Sequence, residues 1–292
     1  MTAALFAALM VVAAPAAQAA GQDRSGISLS DIFGGGKPKN PDDKQKPNRL
    51  TSLLNDVTAY TSEESPEEEQ TSGDAIAAVV LGAAPVWRDE AVQRYVNLVG
   101  RNLASHVERR DVNWRFAVLD TPSINGMAFP GGIVVITRGL YEKLTSEDEL
   151  AAVLAHEIAH VNRKHQWKVI RQQKLVALAG DSVTRNDKSK VANMVADLGT
   201  RVIARGLDKT AEFEADRDAV VIAARAGYDS SALIAVMDHL RALKPGDADT
   251  ALLFATHPSP AQRIDALAAS DTPALDDAAT PSPAAARIRT VH

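Results

Sequence analysis

The sequence predicts an α+β domain that is mostly helical, with one small sheet. Three observations predict it. Alanine is abundant while aromatic residues make up only 4% of the 292 positions, a composition that suggests a helix-rich core. Most apolar segments repeat at helical spacing. Only two stretches, Trp114–Leu119 and Ala128–Thr137, read as strands.

In chain order, Met1–Ala19 is apolar and ends in Ala17-Gln18-Ala19, the small-residue pattern of a signal-peptide cleavage site. Cleavage before Ala20 is expected. An uncleaved membrane anchor is the alternative, although the run is short for a spanning helix and Pro15 interrupts it. Residues 20–74 read as a disordered linker, punctuated by Gly34-Gly35-Gly36, Pro38, Pro41 and Pro47. It carries a solvated acidic run at Glu63-Glu64 and Glu67-Glu68-Glu69, and one amphipathic piece, Leu50–Tyr60, able to dock on a domain. The domain itself is expected over residues 75–270. It opens with a short Ala/Val stretch, Ala75–Ala84, stopped by Pro85. A helix follows over Asp89–Val107, with Val92, Tyr95, Val96, Val99 and Leu103 on one face. Trp114–Leu119 alternates as a strand, and Ala128–Thr137 is a second strand region in which Pro130-Gly131-Gly132 makes a bend or bulge. Leu144–Gln166 is a helix started by a capping box of Ser146 and Glu149. Val169–Arg205 is helical with a polar break at Arg185–Lys190, and Gly206 ends it. The next helix, capped by Asp208 or Thr210, runs to Arg225 and stops at Gly227. Ser230–Leu243 forms another, ended by Pro245. Pro and Ala then dominate residues 271–292, which read as a disordered tail.

The residues that carry chemistry lie on two of these helices. His156-Glu157-Ile158-Ala159-His160 sets two imidazoles four apart on one face, where both can grip one metal ion, and Glu157 can reach a water bound to it. The surrounding segment is apolar nearly all round, so the helix is buried. Buried histidines need partners, which a metal supplies. A reactive metal site needs a third protein ligand and an open position. Glu212 is the candidate, four residues before Asp216 on a second helix. Asp216 would accept the outward N–H of a ligand histidine, His156 first. Glu214 is the competing ligand and points to a different face; a solvated acidic helix is the plain alternative for the whole segment. His165 is rotated off the metal face and reads as structural, and His106 and His239 read as surface. His257, held extended by Pro258, has three readings: donor to an oxyanion, occupant of the open metal position, or a hydrogen bond at a helix start. Arg263 either pairs with an acidic group near the site or stabilises the oxyanion.

In this order the motifs resemble the HtpX-like and CAAX-prenyl-protease-type zinc metalloendopeptidases. Five stretches carry the resemblance: Asn125–Ile133, Glu149–Val161, Glu212-x-x-x-Asp216, Ala226-Gly227-Tyr228-Asp229 and Thr256–Ile264. It extends from Asp89 to Leu267. It implies a zincin-like domain with an edge strand beside the His-Glu-x-x-His helix. It also implies one zinc ion per chain on His156, His160 and Glu212, with Glu157 as the general base. Gly126 and Met127 depart from the Ala and Phe usual in that family.

A net charge of −5 gives no electrostatic case for nucleic acid. The absence of cysteine excludes disulfides, thiol nucleophiles and cysteine–zinc sites. The expectation is therefore a zinc endopeptidase of the periplasm, or one anchored in a membrane and facing it. It would act on extended or misfolded envelope proteins. Substrate would add a strand along Asn125, Met127, Ala128, Phe129, Gly131 and Gly132. Peripheral-membrane or outer-membrane assembly components are further expected partners. The competing readings are a non-proteolytic chaperone on the same fold and a peptidoglycan amidase. The intact Glu157 and full ligand set argue against the first. The lack of a recognisable wall-binding module argues against the second.

Overall fold

The computed structural model describes residues 65–179, 188–244 and 247–270. The expected signal peptide, the linker up to residue 64 with its Leu50–Tyr60 piece, the start of the polar break and the tail lie outside them. The described elements are mostly helical with one three-stranded sheet, the α+β class expected.

Helix α1 (Pro66–Ala83) corrects the linker boundary. Ser65 caps it by accepting from Glu68 N at 3.4 Å, and Pro66 occupies its first turn. Glu67, Glu68 and Glu69 of the acidic run are that first turn, where the helix dipole favours negative charge, and the first two are exposed as expected. Glu69 is only 1% exposed. Its carboxylate accepts from Arg109 Nη1 and Nη2 at 2.8 and 2.9 Å, and from Gly131 N at 3.2 Å. The charge run misled because its partner lies forty residues away.

Helix α2 (Glu90–Ala104) is capped by Asp89, and buries Val92, Val96, Val99 and Leu103. Strands β1 (Arg115–Leu119), β2 (Gly126–Phe129) and β3 (Ile133–Thr137) form a sheet in the order β1-β3-β2. β3 runs parallel to β1 and antiparallel to β2. Here the single bent strand expected over Ala128–Thr137 is replaced by a hairpin. Gly131 and Gly132 take φ of 77° and 98°, and Gly132 N donates to Phe129 O at 3.2 Å. Two successive left-handed residues reverse the chain instead of bulging it. β3 is thus central, and β1 and β2 are the outer strands, with β2 the one packed against the helix over Glu147–Asn162.

All of β3 is buried because it serves two cores. Val134 and Ile136 join Val118, Phe116 and the helices on one face. Ile133 and Val135 join Leu119, Met127, Phe129 and Ile76 on the other. Short helix α3 (Arg138–Tyr141) leads to α4 (Glu147–Asn162). Ser146 caps α4, accepting from Glu149 N at 3.1 Å, while the Glu149 carboxylate accepts from Thr145 N at 2.6 Å. Residues 147–161 of α4 are buried throughout. It packs against α2, α7 (Lys209–Arg225) and α8 (Ala232–Arg241). Helices α5 (His165–Ala179) and α6 (Lys188–Arg205) belong to the second core, with Trp167, Ile170, Val195 and Val202 buried there. Helices α9 (Ala251–Thr256) and α10 (Pro260–Ala268) complete the described chain.

Candidate metal centre

Helix α4 holds His156 and His160 one turn apart, with Nε2 atoms 3.1 Å from each other. Asp208 caps α7 by accepting from Ala211 N at 3.0 Å, which fixes the first turn that carries Glu212. Glu212 Oε2 lies 3.6 Å from His156 Nε2, and Oε1 lies 3.5 Å from His160 Nε2. His257 ends α9 in an extended conformation, as a residue before proline must, and its Nε2 is 3.7 Å from Glu212 Oε2. Around a tetrahedral zinc with bonds of ~2.0–2.1 Å, ligand atoms lie ~3.3–3.4 Å apart, close to these separations. His156, Glu212 and His257 each offer a ligand atom within 4.8 Å of the others.

The donor chemistry also fits a cation. Glu212 is 2% exposed, and its Oε2 is buried without a hydrogen-bond partner. Such an oxygen is costly to bury. A cation among the three imidazoles satisfies it.

Behind His156 stands a clamp. Asp216 Oδ1 is 2.9 Å from His156 Nδ1, and Arg263 grips the same carboxylate through Nε at 2.9 Å and Nη2 at 2.5 Å. Asp216 is 1% and Arg263 6% exposed. Arg263 thus pairs with an acidic group of the site, and its Nη2 also lies 3.2 Å from His156 Nδ1 and 3.5 Å from its Nε2. Behind His160 stands a residue that sequence reading left as structural. His165 Nδ1 is 2.9 Å from His160 Nδ1, and His165 Nε2 is 3.3 Å from Glu214 Oε2. Lys164, with φ 58°, is the only non-glycine residue at positive φ among the described residues. It turns the chain so that His165, first in α5, comes back onto His160. Glu214 thus lies on His165 and not among the donors.

Burial sets the electrostatics, and the charges then correct it. Burial and Arg263 push the His156 pKa down, but Asp216 and Glu212 outweigh them and lift it to about 9. Burial pushes Glu157 up to about 7, against the pull of His156 and Arg263. For Glu212, burial is overcome by His257, His156 and His160, which hold it well below the usual carboxylate range. Burial and then Arg263 act in opposite senses on Asp216, and Arg263 with His156 wins, holding it low. Burial takes His257 down to about 4, which favours its neutral imidazole.

A cavity of about 40 Å³ opens beside the donors. Asn125, Gly126, Met127 and Ala128 line it on one side, with Glu157, His160, Glu212 and His257. Val202, Ile203 and Leu207, at and after the end of α6, line the other, a contribution not expected from sequence. Phe129, Gly131 and Gly132 do not reach the cavity. Phe129 is in the second core, and the glycines form the hairpin turn, Gly131 against Gln70 of α1 and Gly132 against Val112 and Asn113. A Cβ on Gly126 would come within 2.7 Å of Glu157 Oε1. The missing side chain is what lets the carboxylate lie against the strand, which gives this departure from the family pattern a physical meaning.

The chain is similar to the beta-barrel assembly-enhancing protease of Escherichia coli strain K12, 29% identical over 206 residues, which are 68% of this chain and 42% of that one. The same-named protein of Yersinia pestis is 29% identical over 222 residues, 73% of this chain and 46% of that one. The mitochondrial metalloendopeptidase OMA1 of Schizosaccharomyces pombe is 29% identical over 175 residues, 58% of this chain and 50% of that one. The chain thus spans half or less of each relative's length. Its residues 90–271, which include every side chain of the centre just described, match Peptidase family M48. That match covers well over half of the sequence, and the chain belongs to peptidase family M48, a family of gluzincin metalloproteases.

Proposed function

We propose that this chain is a zinc-dependent endopeptidase that cuts extended or misfolded proteins of the cell envelope. The observation that carries the reading is the orphaned Glu212 Oε2 among imidazole nitrogens, with Glu157 beside them on the cavity wall. His156, His160 and Glu212 would hold the zinc, which would supply a Lewis acid to polarise a carbonyl and to bring the pKa of a water toward ~7. Glu157 takes the proton of that water as its oxygen bonds to the peptide carbonyl carbon. It then delivers the proton to the amine nitrogen as the C–N bond breaks. A cation nearby favours the ionised form of Glu157 and so readies it for the first of these steps.

Support for a polypeptide substrate comes from β2. It has a strand partner on one side only, and Asn125 Oδ1, buried in the cavity wall, has no hydrogen-bond partner. An extended chain laid along β2 offers backbone N–H groups to both. The envelope assignment draws on the signal-peptide pattern of residues 1–19 and on the relatives named for beta-barrel assembly. Among the described residues no helix is long and apolar enough to cross a membrane.

His257 is read as a resting-state ligand. Its neutral Nε2 sits among the donors, where an attacking water has to go. His257→Ala should therefore raise basal cleavage of unfolded casein, on the order of tenfold. A fall of ~100-fold would assign it to the oxyanion instead. The reading as a whole is tested by digesting casein and purified cell wall side by side, with zinc and with chelator. Zinc-dependent loss of casein alone is expected. Cleavage of wall alone favours the amidase, and no cleavage in either arm, also with His257→Ala, favours a binding protein.

A further inference from the structure

The two ligand histidines differ in what holds their outward nitrogens. Asp216 takes that of His156 directly. For His160 the partner is another imidazole, 93% buried, since His165 is 7% exposed. The ring centroids of His160 and His165 are 5.1 Å apart, at 71°.

We propose that His165 is a positioning residue for the metal, and that Glu214 sets its tautomer. The inference rests on the reading of His160 as a ligand. An imidazole that gives its Nε2 lone pair to a cation carries its proton on Nδ1 and donates there. The atom facing it is His165 Nδ1, at 2.9 Å, which must then be an acceptor. A neutral imidazole with a lone pair on Nδ1 carries its proton on Nε2. That Nε2 faces Glu214 Oε2 at 3.3 Å, and a carboxylate only accepts. One arrangement of protons satisfies all three groups, and it leaves the lone pair of His160 Nε2 facing His156 and Glu212. With the tautomers reversed, His160 Nε2 would carry a hydrogen into the donor ring and the cation would lose a ligand.

The geometry that delivers His165 is local and rigid. Lys164 N donates to Val161 O at 3.0 Å, and Lys168 N donates to Lys164 O at 2.9 Å. The left-handed residue is thus tied to the end of α4 and to the start of α5. Trp167 and Ile170, both essentially buried, anchor that start in the second core. Glu214 is on α7, the helix that also bears Glu212. The same helix therefore supplies a ligand on one face and the terminal acceptor on another.

The test is zinc affinity by chelator competition on the full chain, with the melting temperature of the zinc-free protein measured alongside. His165→Leu keeps bulk but removes the acceptor, and should weaken zinc ~10- to 100-fold. His165→Asn places a carbonyl oxygen near the position of Nδ1 and should restore most of that loss. Glu214→Ala alters an exposed group, leaves folding untouched, and should weaken zinc ~3- to 10-fold. In the wild type, nitrogen-15 spectra of the zinc form should show the proton of His160 on Nδ1 and that of His165 on Nε2. Wild-type affinity in His165→Leu and Glu214→Ala overturns the inference. So does a loss in His165→Leu that Asn does not restore and that tracks a lower zinc-free melting temperature. Should the Leu protein not fold, Glu214→Ala and the spectra decide alone. A wild-type chain that binds no zinc, or a His160→Ala chain that binds it fully, defeats the ligand assignment itself, which is a separate result.

Discussion

His156 and His160 stand one turn apart on the same helix, yet the chain supports them by opposite means. Behind His156 the support is closed. Asp216 and Arg263 form a bidentate ion pair that is almost fully buried, and each needs the other. Behind His160 the support is open. It passes through a neutral imidazole to Glu214, whose side chain is 38% exposed. The difference teaches that two histidines of one sequence motif can have different stakes. The closed side is bound up with folding, because a stranded buried charge destabilises the whole domain. On the open side, solvent reaches the last member and a change there costs little stability.

Glu212 lies between the two sides, 3.6 Å from His156 and 3.5 Å from His160. Its removal should have the largest effect: Glu212→Ala is expected to lose zinc and all hydrolysis, while Glu214→Ala keeps a full complement at saturating zinc. Metal analysis showing the reverse would break the comparison at its centre. Glu157 belongs to neither side. Glu157→Gln should bind zinc as the wild type does and lose ~100- to 10,000-fold in kcat. A large drop in zinc content with that loss would make Glu157 part of the metal's support. On the closed side, Arg263→Ala should cost ~3–5 kcal/mol of stability, read by denaturant unfolding of the zinc-free chain, because Asp216 is left buried and unpaired. A cost under ~1 kcal/mol, as expected for the exposed Glu214, would erase the asymmetry. The smallest effect is expected at Gly126→Ala. The new methyl displaces the Glu157 carboxylate, a flexible tip, so stability and zinc binding stay while kcat falls on the order of tenfold. An unchanged kcat would show that Glu157 works from more than one position.

Much of the centre was legible in the sequence because helices translate spacing into geometry. His156 and His160, and likewise Glu212 and Asp216, are four apart, and one helical turn stacks such pairs with no help from the rest of the chain. Periodicity and the Ser146–Glu149 box likewise located α2 and α4. What stayed hidden depends on contacts or on single backbone angles. His165 sits five residues from His160, which on a continuous helix points elsewhere, and only the left-handed Lys164 brings it back. A non-glycine residue at positive φ leaves no mark in composition. Glu69 looked like a solvated charge because its partner Arg109 is remote in sequence. The Pro130-Gly131-Gly132 turn was recognised as a break, but a bulge and a reversal share the same residues. The wall given by Val202, Ile203 and Leu207 follows from how α6 packs, which the local pattern does not state.

The sheet ends on one side at β2, and every residue of β2 is buried. The outer strand of a β-sheet, when left open, recruits other chains, and proteins guard it to stay soluble. Here the guarded edge and the reactive cavity are the same place, since Gly126, Met127 and Ala128 belong to both. On the proposed reading of His257 as a resting-state ligand, switching the chain on and exposing a sticky margin would be a single event, and brief, substrate-triggered opening would serve such a molecule better than a permanently open form. A variant trapped open should be recognised as much by its tendency to clump as by its speed.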